Sequence, residues 1–240
     1  MKRSRRVGTV LPLALATSAV VLALVSPATA AATKTAALYD MNEAVGSTVL
    51  LDSSGNGLNG TIGSEVTLRA SYSGAIGHRF NYLAPNTPPA HPGHLDIVKD
   101  NLKLDPEKAD YAVTVRYRTT RSFGNIIQKG QSTQVGGMWK FQQPNGIVSC
   151  LFRGSAGETI SVNSGVPLND GLWHTVRCER TATKVVMTID GIKKRTGNGS
   201  TGSISNKAPL SIGGKSTCDQ IKITCDYFVG DIDYVRIEKG

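Results

Sequence analysis

The sequence predicts an all-β fold, a two-sheet antiparallel β-sandwich, and three observations predict it. Short runs alternate apolar and polar residues, as in Tyr111-Ala112-Val113-Thr114-Val115-Arg116-Tyr117 and Ile232-Asp233-Tyr234-Val235-Arg236-Ile237. Turn dipeptides separate such runs: Asn145-Gly146, Asp170-Gly171, Asp190-Gly191 and Gly213-Gly214. Helix-period stretches are scarce beyond residue 30. A period of two sends successive side chains to opposite faces, so each run buries one face. Many short strands joined by Gly-rich turns bury those faces by stacking as two sheets.

Residues 1–30 stand apart as an expected secretory signal. Lys2, Arg3, Arg5 and Arg6 precede a charge-free stretch from Val7 to Ala32 that contains Ala19-Val20-Val21-Leu22-Ala23-Leu24-Val25. A basic start, a short apolar middle and small residues at Ala28-Thr29-Ala30 are the pattern a signal peptidase cuts. Cleavage is expected after Ala30, leaving residues 31–240 as one secreted domain with no membrane anchor. Pro12 and Pro27 interrupt the stretch that a retained anchor of about twenty residues would need. The Ser4-Arg5-Arg6 triplet leaves the export route open between the general and the twin-arginine pathways.

Along residues 31–240 the expected strands follow in order. Ala37-Leu38-Tyr39-Asp40 comes first, then, past a Pro-rich loop from Ala84 to Gly93, Tyr111–Tyr117. Asn125-Ile126-Ile127-Gln128, Met138-Trp139-Lys140-Phe141 and Ile147–Phe152 form the middle group. Leu172–Val176, Val185–Ile189 and Ile232–Ile237 complete the set.

Four cysteines in an exported chain predict two disulfides, because the compartment is oxidising. Cys150 and Cys178 lie in apolar runs expected to be neighbouring strands, and Cys218 and Cys225 bracket a short hairpin, so these local pairs are the expected ones. A zinc site is the other reading, but the spacings match no common ligand pattern. Removing the signal takes four of the 27 basic residues, leaving 23 against 18 acidic, or +5. That mild excess, densest at Lys193-Lys194-Arg195, reads as a solvated hairpin edge and not as a nucleic-acid surface. A monomer is expected.

Asp52-Ser53-Ser54-Gly55-Asn56-Gly57 places oxygen-bearing side chains at alternate positions of a glycine-permitted loop, as the first half of a calcium loop does. Gly63 stands where a helical calcium loop carries its bidentate Glu, so a self-contained site is excluded. Two readings stay open: a Ca2+ site completed from elsewhere, or an Asx-turn network in which Asp52 and Asn56 satisfy loop amides.

The DSSGNG stretch from Asp52, together with Asp170-Gly171-Leu172-Trp173-His174-Thr175-Val176, resembles the laminin G-like, concanavalin A-like superfamily. Gly124–Gly130 and the ending Gly230–Ile237 are similar to further segments of that family, in family order. The resemblance implies a jelly-roll arrangement of the two sheets. It also implies that calcium, where bound, is shared with the first and last strands, which recruits Asp40 and Asp233 or Asp231 beside Asp52 and Asn56. The superfamily hosts lectins, adhesion modules, glycosidases and polysaccharide lyases alike, so fold does not decide function.

Catalysis in this superfamily leaves signatures. Related glucanases carry a Glu-x-Asp-x-x-Glu strand because glycoside hydrolysis needs two carboxylates flanking the bond. Glu158, Glu179 and Glu238 have no acidic partner at that interval, and the nearest pair, Asp231-x-Asp233, falls in the terminal motif of the fold. The Gln-x-His and Tyr-x-Lys-x-Gly signatures of the lyases are missing. The expected function is a secreted non-catalytic binding module for a carbohydrate or an extracellular or cell-surface protein ligand, with a polysaccharide-active enzyme as the alternative. Tyr72, Tyr82, Trp139 and Tyr227 are the expected ligand contacts, as exposed aromatics on loops. Trp173 is expected in the core, and His174 as a surface or hydrogen-bonded residue.

Overall fold

A computed structural model describes residues 33–68, 77–83, 91–217 and 226–240. The predicted signal and its cleavage site at Ala30, the Pro-rich stretch 84–90, Tyr72, and the Cys218–Cys225 pair lie outside the described residues.

Each of the eight expected runs overlaps a strand, and eight further strands among the described residues, most of them of two or three residues, were not expected. Along Tyr111–Arg118, Tyr111, Val113, Val115 and Tyr117 are buried, while Thr114, Arg116 and Arg118 face outward. The described residues form sixteen strands, namely β1 Lys34–Tyr39, β2 Val49–Leu50, β3 Gly60–Thr61, β4 Val66–Thr67, β5 His78–Phe80, β6 Asp96–Val98, β7 Tyr111–Arg118 and β8 Asn125–Lys129, followed by β9 Met138–Gln142, β10 Ile147–Arg153, β11 Thr159–Pro167, β12 His174–Arg180, β13 Lys184–Ile189, β14 Lys193–Asn198, β15 Leu210–Ile212 and β16 Gly230–Lys239.

They make two antiparallel eight-stranded sheets. The first runs β14-β13-β12-β7-β16-β5-β4, and the second β11-β10-β9-β8-β15-β6-β3-β2. β1 also joins the first sheet. It pairs with the C-terminal half of β16, along the edge whose N-terminal part takes β5, while β7 covers the other edge.

The inner faces meet in one apolar core, including Tyr39, Phe80, Tyr111, Tyr117, Phe141 and Phe152. Cys150 on β10 and Cys178 on β12 are bonded with 6.5 Å between their Cα atoms. They occupy different sheets, which corrects the expectation that this bridge joins neighbouring strands. Each follows the inward phase of its strand, Cys150 between Val148 and Phe152 and Cys178 two residues from Val176, so their sulfurs meet across the core. One disulfide is therefore established among the described residues.

A second inter-sheet tie is ionic. His78 on β5 is fully buried, with Nδ1 2.7 Å from Asp96 on β6 and Nε2 2.8 Å from Glu43. Burial alone would push the imidazole pKa down, but hydrogen bonds and charge from the two carboxylates raise it from 6.5 to about 9. Lys129, also without exposure, is neutralised by Asp100 and Asp105, each 2.8 Å away.

Candidate functional site

One end of the first sheet opens into a cleft of about 400 Å³. Three segments build it: β5 and the residues after it, the end of β7 with its loop to Arg121, and Val229–Asp231 at the start of β16. The register decides the chemistry. Asp231 is directly opposite Arg79 on one side and Arg118 on the other, and all three point away from the core. Its carboxylate accepts from Arg79 Nε at 2.8 Å and Nη2 at 3.2 Å, and from Arg118 Nε at 2.7 Å. Asp231 is 4% exposed, so it lies beneath the guanidiniums it holds.

Tyr82 forms the wall and remains 56% exposed. The Arg121 guanidinium stacks 4.8 Å from its ring centroid, a cation–π contact that covers one face of the ring. The loop carrying Arg121 is fixed by Thr119, whose hydroxyl accepts from the Arg121 amide at 2.9 Å and donates to the Val229 carbonyl at 2.6 Å. Gly171, at φ +81°, brings the adjoining turn to the rim by donating its amide to the Thr119 carbonyl.

Of the aromatics expected to contact a ligand, Tyr82 alone lies in this cleft among the described residues. Trp139 has no exposure, and its indole N–H donates to the Leu104 carbonyl at 3.3 Å. It is a core residue, which corrects its place among the exposed contacts. Tyr227 is 9% exposed, packs 4.9 Å from the His94 ring, and accepts from the His91 amide through its hydroxyl. The structure also differs at Trp173, expected in the core. Trp173 is half-buried on the outer face of the first sheet, with the Arg116 and Arg118 guanidiniums 4.7 and 4.9 Å from its ring. His174 is hydrogen-bonded as expected, to Asp190 at 2.8 Å and Asp170 at 3.1 Å.

Three of the expected calcium ligands, Asp52, Asn56 and Asp233, are engaged with protein groups. Asp52 accepts three backbone amides, those of Leu38, Ser54 and Leu58, at 2.9 to 3.0 Å. Burial raises its pKa, but hydrogen bonds from Ser54 and from the Leu38 and Leu58 amides outweigh that and hold it below the usual carboxylate value. Asn56 donates to the Thr35 and Ala36 carbonyls, and its own oxygen accepts from Lys103 Nζ at 2.7 Å. Asp233 is ion-paired with Arg116. Asp40 borders a separate hollow of about 160 Å³ with Asn42, Glu43, Leu51 and Ser53. A calcium shell needs roughly six to eight oxygens directed at one point. An ammonium on the Asn56 oxygen and amides on the Asp52 oxygens do not fit that requirement.

Asp231 between two arginines is the feature that sequence reasoning missed. Its signal was present: Arg116-x-Arg118 on the outward phase of one strand and Asp231-x-Asp233 on another. Only the pairing of β7 with β16 puts the two patterns side by side.

The laminin G domain family pattern matches residues 117–240. The chain belongs to the laminin G domain family. No curated protein matches the sequence. Among solved structures, this laminin G domain is similar to domain 4 of AbnA, an extracellular arabinanase from Geobacillus stearothermophilus, solved in complex with arabinotriose, at 17% identity and TM-score 0.60 over 87% of this chain and 93% of that one. It is also similar to the binding domain of Paraclostridial Mosquitocidal Protein 1, at 13% identity and TM-score 0.58 over 86% of this chain. The binding domain of botulinum neurotoxin serotype G aligns at 12% identity and TM-score 0.59, again over 86%. The chain spans about half the length of those two toxin domains, 48% and 47%. At these identities the likeness is one of fold.

Proposed function

We propose that this laminin G domain is a secreted, non-catalytic binding module that recognises carbohydrate in the cleft between Tyr82 and Asp231. The observation that carries the reading is the exposed Tyr82 ring, backed by Arg121 on one face and standing over a cavity lined with Arg79, Arg118 and Asn81. A rigid aromatic face beside planar polar groups suits a sugar, whose C–H face stacks and whose hydroxyls take hydrogen bonds. The similar arabinanase domain, which this chain covers almost end to end, was solved with arabinotriose.

A non-catalytic role is supported by the single carboxylate among the described lining residues, Asp231, which is occupied by two guanidiniums. Hydrolysis by acid and nucleophile or base needs a second carboxylate across the bond. Secretion is supported by the basic-apolar-small pattern of residues 1–30 and by the Cys150–Cys178 bond, which persists in oxidising surroundings. Glycan-array binding of the wild type and of Tyr82→Ala tests the reading: wild-type binding that the variant loses supports it, and binding unchanged in the variant moves the site elsewhere.

A further inference from the structure

We infer that Lys129 and Asn206 become joined by an intramolecular isopeptide bond, formed by the chain itself with Asp105 as the proton carrier. Three separate segments bring these groups together. Lys129 ends β8, Asp105 follows the helical turn Leu102–Leu104, and Asn206 leads into β15. All are buried, Lys129 with no exposure, Asp105 with 1% and Asn206 with 4%. Lys129 Nζ lies 2.8 Å from Asp105 Oδ1 and 3.5 Å from Asn206 Oδ1, so amine, proton acceptor and amide are already in contact.

Both ends of the amide are held. Asn206 Oδ1 accepts from the Ala208 amide at 2.9 Å, and Nδ2 donates to the Gly137 carbonyl at 3.0 Å. The first contact polarises the side-chain carbonyl and stands where negative charge gathers on oxygen when a nucleophile adds. The second orients the nitrogen that must leave. Gly130, next to the lysine at φ +85°, makes room for that nitrogen, because a Cβ there would lie 2.7 Å from Asn206 Nδ2. Ser205 Oγ donates to Asp105 Oδ2 at 3.0 Å, leaving Oδ1 turned to the lysine. Charge pairing alone does not call for this arrangement. Asp100, 2.8 Å from Nζ, already supplies Lys129 with a carboxylate. Groups fixed in this way react as if at an effective concentration on the order of 10⁵ M or more, and burial keeps water from competing.

The reaction needs no cofactor and no oxidant. The Lys129 ammonium gives one proton to Asp105, and the amine so formed adds to Asn206 Cγ, making the new C–N bond and placing the displaced electron pair on Oδ1. Asp105 passes its proton to Nδ2, and the Cγ–Nδ2 bond breaks as the carbonyl re-forms. The extra proton left on Nζ travels through Asp105 to the departing ammonia, so one ammonium ion leaves for each bond made. The product ties the end of β8 to the approach to β15, its neighbour in the second sheet, and removes a buried positive charge opposite Trp139.

The test reads peptide masses from the purified protein, reduced and unfolded before trypsin, since an isopeptide bond survives both treatments. An amidated Lys129 is no longer a cleavage site. The expected species is peptide 122–140, uncut at Lys129, joined to peptide 196–207 and lighter by one ammonia than the two together, with fragmentation placing the bond between Lys129 and Asn206. Free peptides 122–129 and 196–207 without the linked species overturn the inference. A link from Lys129 to the peptide bearing Asp100 or Asp105, lighter by one water, overturns the assignment of Asn206. Two variants then separate proton transfer from charge pairing. The link should be lost in Asp105→Asn and kept in Asp100→Asn, with melting curves and an intact Cys150–Cys178 bond showing that each is folded. A link that persists in folded Asp105→Asn, or is lost in both folded variants, overturns Asp105 as the proton carrier. The wild-type digest decides the bond itself, whichever variants fold.

Discussion

His78 on β5 lies 2.7 Å from Asp96 on β6, so a hydrogen bond joins the first sheet to the second. Glu43 meets the other ring nitrogen at 2.8 Å, and the imidazole has no exposure. Its pKa of about 9, against 6.5 for a free histidine, means that the native state holds this proton more tightly than the unfolded chain does. The resulting stabilisation is fully present below pH 6.5 and is lost as pH rises through about 9. Its ceiling, from about 1.4 kcal/mol per pKa unit, is on the order of 3 kcal/mol. Urea unfolding at pH 6, 7.5 and 9.5 should show that fall in the wild type and a flatter profile in His78→Gln. The variant should also be less stable at neutral pH, because two carboxylates remain buried without their cation. Parallel profiles in the two proteins would assign the alkaline loss to other groups.

The inter-sheet disulfide should stabilise through the closed loop it imposes on the unfolded chain. Cys150 and Cys178 stand 28 positions apart, which corresponds to about 3.6 kcal/mol on the chain-entropy model. The double variant Cys150→Ala/Cys178→Ala should lose about that amount in a denaturant titration. An unchanged midpoint would contradict the assignment of this bridge as a main staple of the sandwich.

The Asp52 loop should depend on its hydrogen bonds and not on calcium. Asp52→Ala leaves the Leu38, Ser54 and Leu58 amides without their acceptor, at a cost of about 2 to 3 kcal/mol. Melting curves of the wild type should coincide in calcium and in chelator. A calcium-induced rise in melting temperature that disappears in Asp52→Ala would restore the metal reading.

Tyr82 and Trp139 should respond oppositely to truncation. Trp139→Ala removes a fully buried indole and should lower stability by about 3 to 5 kcal/mol. Tyr82→Ala removes an exposed ring and should change stability by no more than about 0.5 kcal/mol, while lowering saccharide affinity about tenfold, near 1.4 kcal/mol. Calorimetric melting beside a binding titration reads both effects, and a large melting shift in Tyr82→Ala would place that ring among the structural residues.

These contrasts mark what the sequence made legible. The eight longer runs were readable because period-two alternation is local, and it holds along β7, whereas strands of two or three residues such as β2, β3 and β4 are too short to show it. The same alternation carried the correct answer for Trp139. In Met138-Trp139-Lys140-Phe141 the indole shares a phase with Phe141 and opposes Lys140, so it faces inward. Trp173 was not readable that way. It precedes β12, and its stacking partners Arg116 and Arg118 come from β7, a neighbour that only the sheet order supplies. The disulfide pairing was legible from oxidation and proximity, but its direction across the core needed the assignment of β10 and β12 to opposite sheets. The cleft was legible only through Tyr82, since Asp231 gains its meaning from Arg79, 152 positions away in the chain.

The edge-sharing of β16 has a consequence for synthesis. β1, β5 and β7 each hydrogen-bond to this one strand, although they precede it by more than a hundred residues. A growing chain therefore cannot seat its opening strand, β1, until residues 235–239 have left the ribosome. Until then the apolar faces of β1 and β5 lack the strand that flanks them both.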